Sequence, residues 1–465
     1  MANTADARPV FSFLVAATYR YISPLVFHIY YFVILGIYFY SLVGIASETF
    51  GMNRSSRAWF AYCVIIVGLH APALGYLSAH ATGVNFSRLL HDGLGHQYVL
   101  GPALQPASFG VFLILSLYVF LRGRPLGAVF CAGLAALFQP AYLLTTVAMI
   151  VSYMTVLIRQ EGKVKQALLV GLVGCCLALP VLIHDRISFA ATSTDALVEA
   201  QRILVDFRIP HATKPSEWFD YRALIQIAIV VIAIAGCRQQ RIGPLLLIPF
   251  LASAVLTLGC LITQNMTVAL LLPWQMFAVL VPVSTGLVVG GAVTMVSRKS
   301  GGPPPRYART IDFVFIIFAL LLVVSGVVGA IHKRASSLDR EDAGLLEFVA
   351  GERRTGDLYL IPTEFDGFRL YTGSPVFVDE RDYPRKDVEV IEWYRRLNLA
   401  KKFYAARGDT ACDILDELHA RYAVTHVVVR GDLQGQGELS GREWCAATLI
   451  FSDDHFRVYK LTRHE

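Results

Sequence analysis

The sequence predicts a polytopic α-helical membrane protein, with about ten membrane segments and a small α/β soluble domain at its C-terminal end. Three observations carry this. Of 465 residues, 55% are hydrophobic and only 16% charged, and the mean hydropathy is +0.53, whereas soluble domains carry about 25% charged residues. Several apolar runs approach the roughly 20 residues needed to cross a bilayer. After residue 331 the pattern changes to strand-like runs alternating with helical ones, the mark of a small α/β layer structure. The net charge of +6 fits basic loops at one membrane face, and no nucleic-acid partner is implied.

Three domains follow: an N-terminal segment (1–23), a transmembrane domain (24–331) and an extracytoplasmic domain (332–465). Residues 9–22, PVFSFLVAATYRYI, are apolar but short and contain Arg20, which predicts an interfacial helix rather than a signal peptide. Spans are expected at 24–45, 58–80, 107–121, 126–158, 164–183, 222–236, 244–262, 268–296 and 311–331. The run 126–158 decides the topology. As one helix it would put Arg159, Lys163 and Lys165 opposite Arg122 and Arg124; a turn at Gln139-Pro140 puts both clusters on one side, as the positive-inside rule requires. Helix 126–138 is then about 20 Å long, short of a hydrocarbon core of about 30 Å. Its tip at Gln139, Pro140 and Tyr142 is therefore expected below the surface, facing protein or a water-filled cavity.

The short loops on the Arg54 side carry thirteen Lys and Arg, while residues 185–222 hold five basic residues against six acids. The first set is expected to be cytoplasmic. Loops 81–106 and 184–221, the tail and both termini then lie outside a bacterial plasma membrane. In the tail, strands are expected at 357–362, 374–379, 425–431 and 456–461, and helices at 339–350, 387–404 and 411–422. Cys412 and Cys445 lie there; in an oxidising compartment they could pair, and two free thiols is an equally open reading. The other six cysteines sit in or beside apolar runs, where Cys acts as a small hydrophobe.

Polar residues in the outer loops are the candidates for chemistry. Arg88, His91, Asp92 and His96 cluster in the first, and Asp92 is the only carboxylate between residues 49 and 160. His91, His96 and Asp92 could together hold a divalent metal, but an i, i+5 histidine pair is no metal signature, so no cofactor is firmly implied; loop histidines are also ordinary surface residues. Asp206, Arg208 and His211 form a second group. A cation and a histidine beside a membrane suit an anionic lipid headgroup, because Arg grips phosphate oxygens bidentately; the plain alternative is an ion pair beside an interfacial Trp218. Trp274 and Gln275, near the outer end of a span, read first as core packing and second as substrate contacts. The glycine-rich pieces 286–291 and 326–330 are helix-packing surfaces, and the soluble domain has no phosphate-binding glycine loop or nucleophile elbow.

The succession LQPASFGVFLILSLYVFLRGRPLGAVFCAGLAALFQPAYLL, FRIPHATKPSEWF, LLPWQMF and, in the tail, FRLYTGSPVFVDERDYPRKDVEVIEWYRRL and YAVTHVVVRGD resembles bacterial polytopic membrane proteins of unassigned role. These are similar to distant members of the glycosyltransferase C superfamily, which includes oligosaccharyltransferase catalytic subunits and protein O-mannosyltransferases. The resemblance implies a polyprenyl-phosphate-linked sugar as substrate or ligand; on that reading Asp92 would be the general base, Arg208, His211 and Arg88 would hold the leaving phosphate, and His91, His96, Gln139, Asp206, Trp274 and Gln275 are the further candidates around the substrate. The superfamily's acidic pair sits in a first outer loop after a helix that starts inside. Here the first span runs outside to inside, so the expectation is that the chain begins late or has lost that part. The resemblance also implies histidines at positions 139 and 212 and an arginine at 275, where this chain has Gln139, Ala212 and Gln275. The alternative is a non-catalytic envelope protein that binds lipid or glycan or assists assembly on the same scaffold. A transporter is a third reading.

Overall fold

The computed structural model describes residues 6–299 except Pro24 and Pro102, residues 305–338, and residues 341–461 except Arg407, 432–442 and Ala446. It divides into two compact units. One contains Asp6–Ala190 and Leu204–Val328; the other contains Ala191–Ile203 and Gly329–Glu465.

The first unit is helical. A short helix α1 (Pro9–Tyr21) is followed by α2 (Val26–Phe50), which runs past the expected end of the first span to a left-handed Gly51 cap. The expected single span at 58–80 is instead two helices, α3 (Arg57–His70) and α4 (Pro72–Thr82), bent by 61°. Pro72 favours the break: its ring disfavours the helical conformation in the preceding residue, and Ala71 is extended. Next come α5 (Phe86–His91), a 3-10 turn at Leu94–His96, a second at Pro106–Gly110, and α6 (Val111–Leu121). Helix α7 (Pro125–Phe138) stops at an extended Gln139, and α8 (Leu143–Arg159) starts after a turn at Pro140–Tyr142. The run 126–158 is thus a helical hairpin. Tyr142 is fully buried and its hydroxyl donates to the Ala107 carbonyl at 2.8 Å.

Helix α9 (Val164–Ser188) leads to α10 (Thr194–Arg202), which belongs to the second unit. A π-helical turn, Ile203–Arg208, precedes two one-turn helices, α11 (Pro210–Thr213) and α12 (Pro215–Trp218). Then come α13 (Tyr221–Gly236) and α14 (Ile242–Thr263). The expected span at 268–296 is broken into α15 (Met266–Leu270), a 3-10 turn at Pro273–Met276, and α16 (Phe277–Lys299). Leu272 takes left-handed backbone angles (φ 49°) before Pro273, a conformation costing a non-glycine residue about 1–3 kcal/mol. Helix α17 (Pro305–Leu338) closes the series.

Five helical segments are long and apolar enough to cross a membrane, or six if the bent pair α3–α4 counts as one span. Shorter apolar helices occupy Pro106–Leu121, Pro125–Phe138, Tyr221–Gly236 and Phe313–Gly329. This architecture is compatible with a multi-pass membrane protein. Its buried core joins α2, α6, α7, α8, α13, α14 and α16, while large apolar side chains such as Leu168, Leu172, Ile232 and Val255 remain exposed.

In the second unit, helices α18 (Ala343–Glu352), α19 (Phe368–Thr372), α20 (Asp387–Ala405) and α21 (Asp409–Tyr422) accompany one sheet. Its strands are β1 (Tyr359–Leu360), β2 (His426–Arg430), β3 (Glu443–Trp444), β4 (Ala447–Ser452) and β5 (Phe456–Leu461), in the order β1-β2-β5-β4-β3. Among the named strands of the described residues, β1 and β2 pair parallel and the others antiparallel. The stretch expected as a strand at 374–379 makes a single bridge, Tyr359 to Val376, and β4 lies where no strand was expected. Cys412 and Cys445 form a disulfide. Helix α10 packs on α20, where the Thr192 amide (2.6 Å) and hydroxyl (2.8 Å) both donate to the buried Asp387 carboxylate.

Candidate functional site

The site forms at the end of the helical unit that carries the α7–α8 turn. Helix α5 has only six residues, with the Asn85 side chain capping its start. Its last carbonyls would lack partners, and two neighbouring helices supply them. Gln226 Nε2 on α13 donates to the carbonyls of Leu89 (3.2 Å) and Asp92 (2.8 Å), and the Thr285 hydroxyl on α16 donates to Leu90 (2.8 Å). Gly93 then passes so close to α16 that a Cβ there would collide with the backbone of Phe277 and Ala278. Gly95 is left-handed (φ 62°), and a Cβ on it would sit 3.0 Å from Trp274 Nε1 and 3.4 Å from Trp218 Cδ1.

The two tryptophans bring three separate segments together. Trp274 is fully buried, its ring lies 5.1 Å from that of Trp218, and its N–H donates to the Ala212 carbonyl at 2.7 Å. The turn Leu94–His96 therefore packs against α11, α12 and the turn Pro273–Met276. Trp274 serves as packing: its one donor is already used inside the protein. Gln275 beside it is 5% exposed.

His91 is the last residue of α5 and Asp92 its C-cap. His91 Nε2 lies 3.5 Å from Asp92 Oδ1, and their side chains are 16% and 18% exposed. Burial pushes the Asp92 carboxyl up to about 7, against the opposing pull of the Arg88 charge. Burial also pushes His91 down to about 3, and the neighbouring His70 and Arg88 add to this; His91 Nδ1 is buried with no hydrogen-bond partner among the described residues. Near neutral pH, His91 is therefore uncharged and Asp92 is divided between acid and carboxylate, able to take up or release a proton.

Behind His91 lies a pair that the sequence reading missed. The His70 ring stacks on His91 (centroids 4.8 Å apart, 25° between planes), and the Tyr38 hydroxyl meets His70 Nε2 at 2.7 Å. His70 Nδ1 faces the Ile66 carbonyl at 2.7 Å. A carbonyl can only accept, so Nδ1 carries a proton; in the neutral ring Nε2 then accepts the Tyr38 O–H. Two titratable residues inside apolar runs were themselves a signal.

The remaining candidates scatter more. Arg88 is exposed. The side chain of His96 lies outside the described residues. Asp206 pairs with Lys214 at 2.7 Å, a cation not chosen from the sequence. Arg208 ends the π-helical turn, and exposed His211 lies on α11, whose neighbour is the Leu94–His96 turn. Among the described residues, Gln105 Nε2, Gln139 Oε1, Trp218 Nε1 and Gln275 Oε1 are buried without a hydrogen-bond partner. Such atoms cost about 1–3 kcal/mol each unless a water or ligand satisfies them. No group of three or more His, Cys, Asp or Glu among the described residues is arranged to hold a metal ion.

Residues 341–400 match a family described as a domain of unknown function, DUF6798; the match runs from the start of α18 into α20. No curated protein matches the chain.

Proposed function

We propose that this chain is an envelope membrane protein of the glycosyltransferase C type, acting on a polyprenyl-phosphate-linked sugar at the outer face of a bacterial plasma membrane. The observation that carries the reading is the convergence of the Asp92 loop with the α11–α12 segment and the Pro273–Met276 turn. The excess of Lys and Arg in the short loops at the opposite ends of these helices supports an outer location for that convergence under the positive-inside rule. The Cys412–Cys445 disulfide supports an oxidising surrounding for the tail.

In this reading Asp92 accepts the proton of an acceptor hydroxyl as its oxygen attacks the anomeric carbon. The bond from that carbon to the phosphate oxygen breaks, and the electron pair leaves with the polyprenyl phosphate. Arg208 and His211, with Arg88, stabilise the charge on the departing phosphate. A binder without turnover is the second reading, favoured by Asp92 being the only carboxylate between residues 49 and 160. The test is turnover and binding of a polyprenyl-phosphate hexose by the purified chain. Asp92→Asn is expected to lower turnover by about 10²–10⁴-fold while leaving binding intact, and Arg208→Ala with His211→Ala to weaken binding. Binding without turnover in the wild type selects the second reading. Binding unchanged in the double variant removes the phosphate assignment.

A further inference from the structure

At the opposite ends of the same helices, the α6–α7, α8–α9 and α13–α14 turns enclose an open cavity of about 750 Å³, within the size range of small-molecule sites. Gln160, Glu161, Lys163, Gln166, Gln239 and Arg241 supply its polar lining and Leu157 an apolar part. The three turns, 122–124, 159–165 and 238–241, carry seven Lys and Arg against the single carboxylate of Glu161.

The cations are held in place. The Arg241 guanidinium lies over the Phe120 ring, 5.5 Å from its centroid, and donates to the Leu121 carbonyl at 3.3 Å. Glu161 accepts from Lys163 at 2.7 Å with one oxygen and from Arg241 with the other. One carboxylate thus bridges two cations as a phosphate would, since both present oxygens to the same donors. Arg241 Nε and Gln240 Oε1 are buried with no partner among the described residues.

We propose that this cavity binds the headgroup of an anionic phospholipid, with Lys163 and Arg241 gripping its phosphate in place of Glu161. The flanks favour a lipid over a free anion. Leu126, Ile158 and Val164 each adjoin a lining residue in sequence and are exposed, and Leu168 continues the apolar surface one turn along α9. A bound headgroup could lay its acyl chains on these side chains. Basic pockets between membrane helices recognise anionic headgroups in this way.

The full chain, purified in detergent and exchanged into mixed phosphatidylglycerol–phosphatidylcholine micelles, can be assayed by native mass spectrometry for the lipid it retains. Wild type is expected to retain phosphatidylglycerol in preference. Lys163→Gln with Arg241→Gln should cut that retention about fivefold per lost cation. Glu161→Gln keeps both cations and removes the internal competitor, so retention should rise, which keeps the test decisive if the double variant folds poorly. Equal retention of the two lipids by wild type, or weaker retention by Glu161→Gln, overturns the proposal. So does inorganic phosphate that binds and resists displacement by phosphatidylglycerol, because the occupant would then be a free anion.

Discussion

Asp92 and Glu161 sit at opposite ends of one helical unit; their side chains expose similar fractions, 18% and 17%, but Asp92 lies deep among packed elements and Glu161 at an open turn. Their proton affinities move in opposite directions. For Asp92 burial prevails, with only Arg88 opposing, and the carboxyl rises to about 7. At Glu161 burial also acts upward, but hydrogen bonds and charge from Lys163 and Arg241 outweigh it and hold the group below the usual glutamate range. Surface exposure alone therefore does not decide how a carboxylate behaves; its depth in the protein and its nearest donors do. One end is poised to exchange a proton near neutral pH, and the other holds a fixed negative charge between cations.

The strongest way to break this contrast is the pH dependence of stability. A carboxyl whose folded value is raised binds its proton more tightly when folded. The stability it contributes is thus full below the ordinary aspartate range and falls as pH climbs from about 4 to about 7. At about 1.4 kcal/mol per unit, the upper bound is about 4 kcal/mol. Thermal unfolding in detergent across this window should show that fall in wild type and a flatter profile in Asp92→Asn. Parallel profiles would mean that Asp92 is not shielded as described. Gly93→Ala comes next. Its Cβ forces the loop off α16, which should cost about 1–3 kcal/mol and, by admitting water, return the Asp92 titration toward its ordinary range. An unshifted carboxyl signal by isotope-edited infrared spectroscopy would contradict this.

The Glu161 end should respond with the opposite sign. A lowered carboxyl contributes stability above the ordinary glutamate range, and that stability is lost as pH falls through the folded value. Arg241→Gln should remove part of this acid-side loss, at a cost of about 1 kcal/mol near neutral pH because the pair is partly solvated. Lys163→Gln should cost only a few tenths of a kcal/mol, its side chain being 56% exposed. If Lys163→Gln proves the more damaging in the same melts, the ranking of the two cations is reversed.

The sequence made the α7–α8 hairpin legible because Pro140 and the basic clusters on either side left one consistent topology. It hid the bend at Ala71-Pro72 and the break at Leu272-Pro273, because hydropathy averages across a turn when both arms are apolar. Tyr38 and His70 were invisible as partners of His91 because stacking and hydrogen bonding across helices leave no local spacing. The Asp92 loop, the Arg208–Trp218 segment and Trp274-Gln275 were each singled out. Their convergence depends on Gly93, Gly95 and the tryptophan pair, which take on meaning only in three dimensions. Residues 184–221 form one polar loop in the sequence, yet 191–203 belongs with the tail, through an Asp387 contact spanning 195 positions.

That contact has a consequence for biogenesis. Thr192 and the first face of α10 leave the ribosome 195 residues ahead of Asp387, which at 5–20 residues per second is a wait of roughly 10–40 s. During that interval α10 has no α20 to cover it. A ribosome stalled anywhere between the two would leave a nascent chain whose early segment is a ready target for chaperones and quality-control proteases.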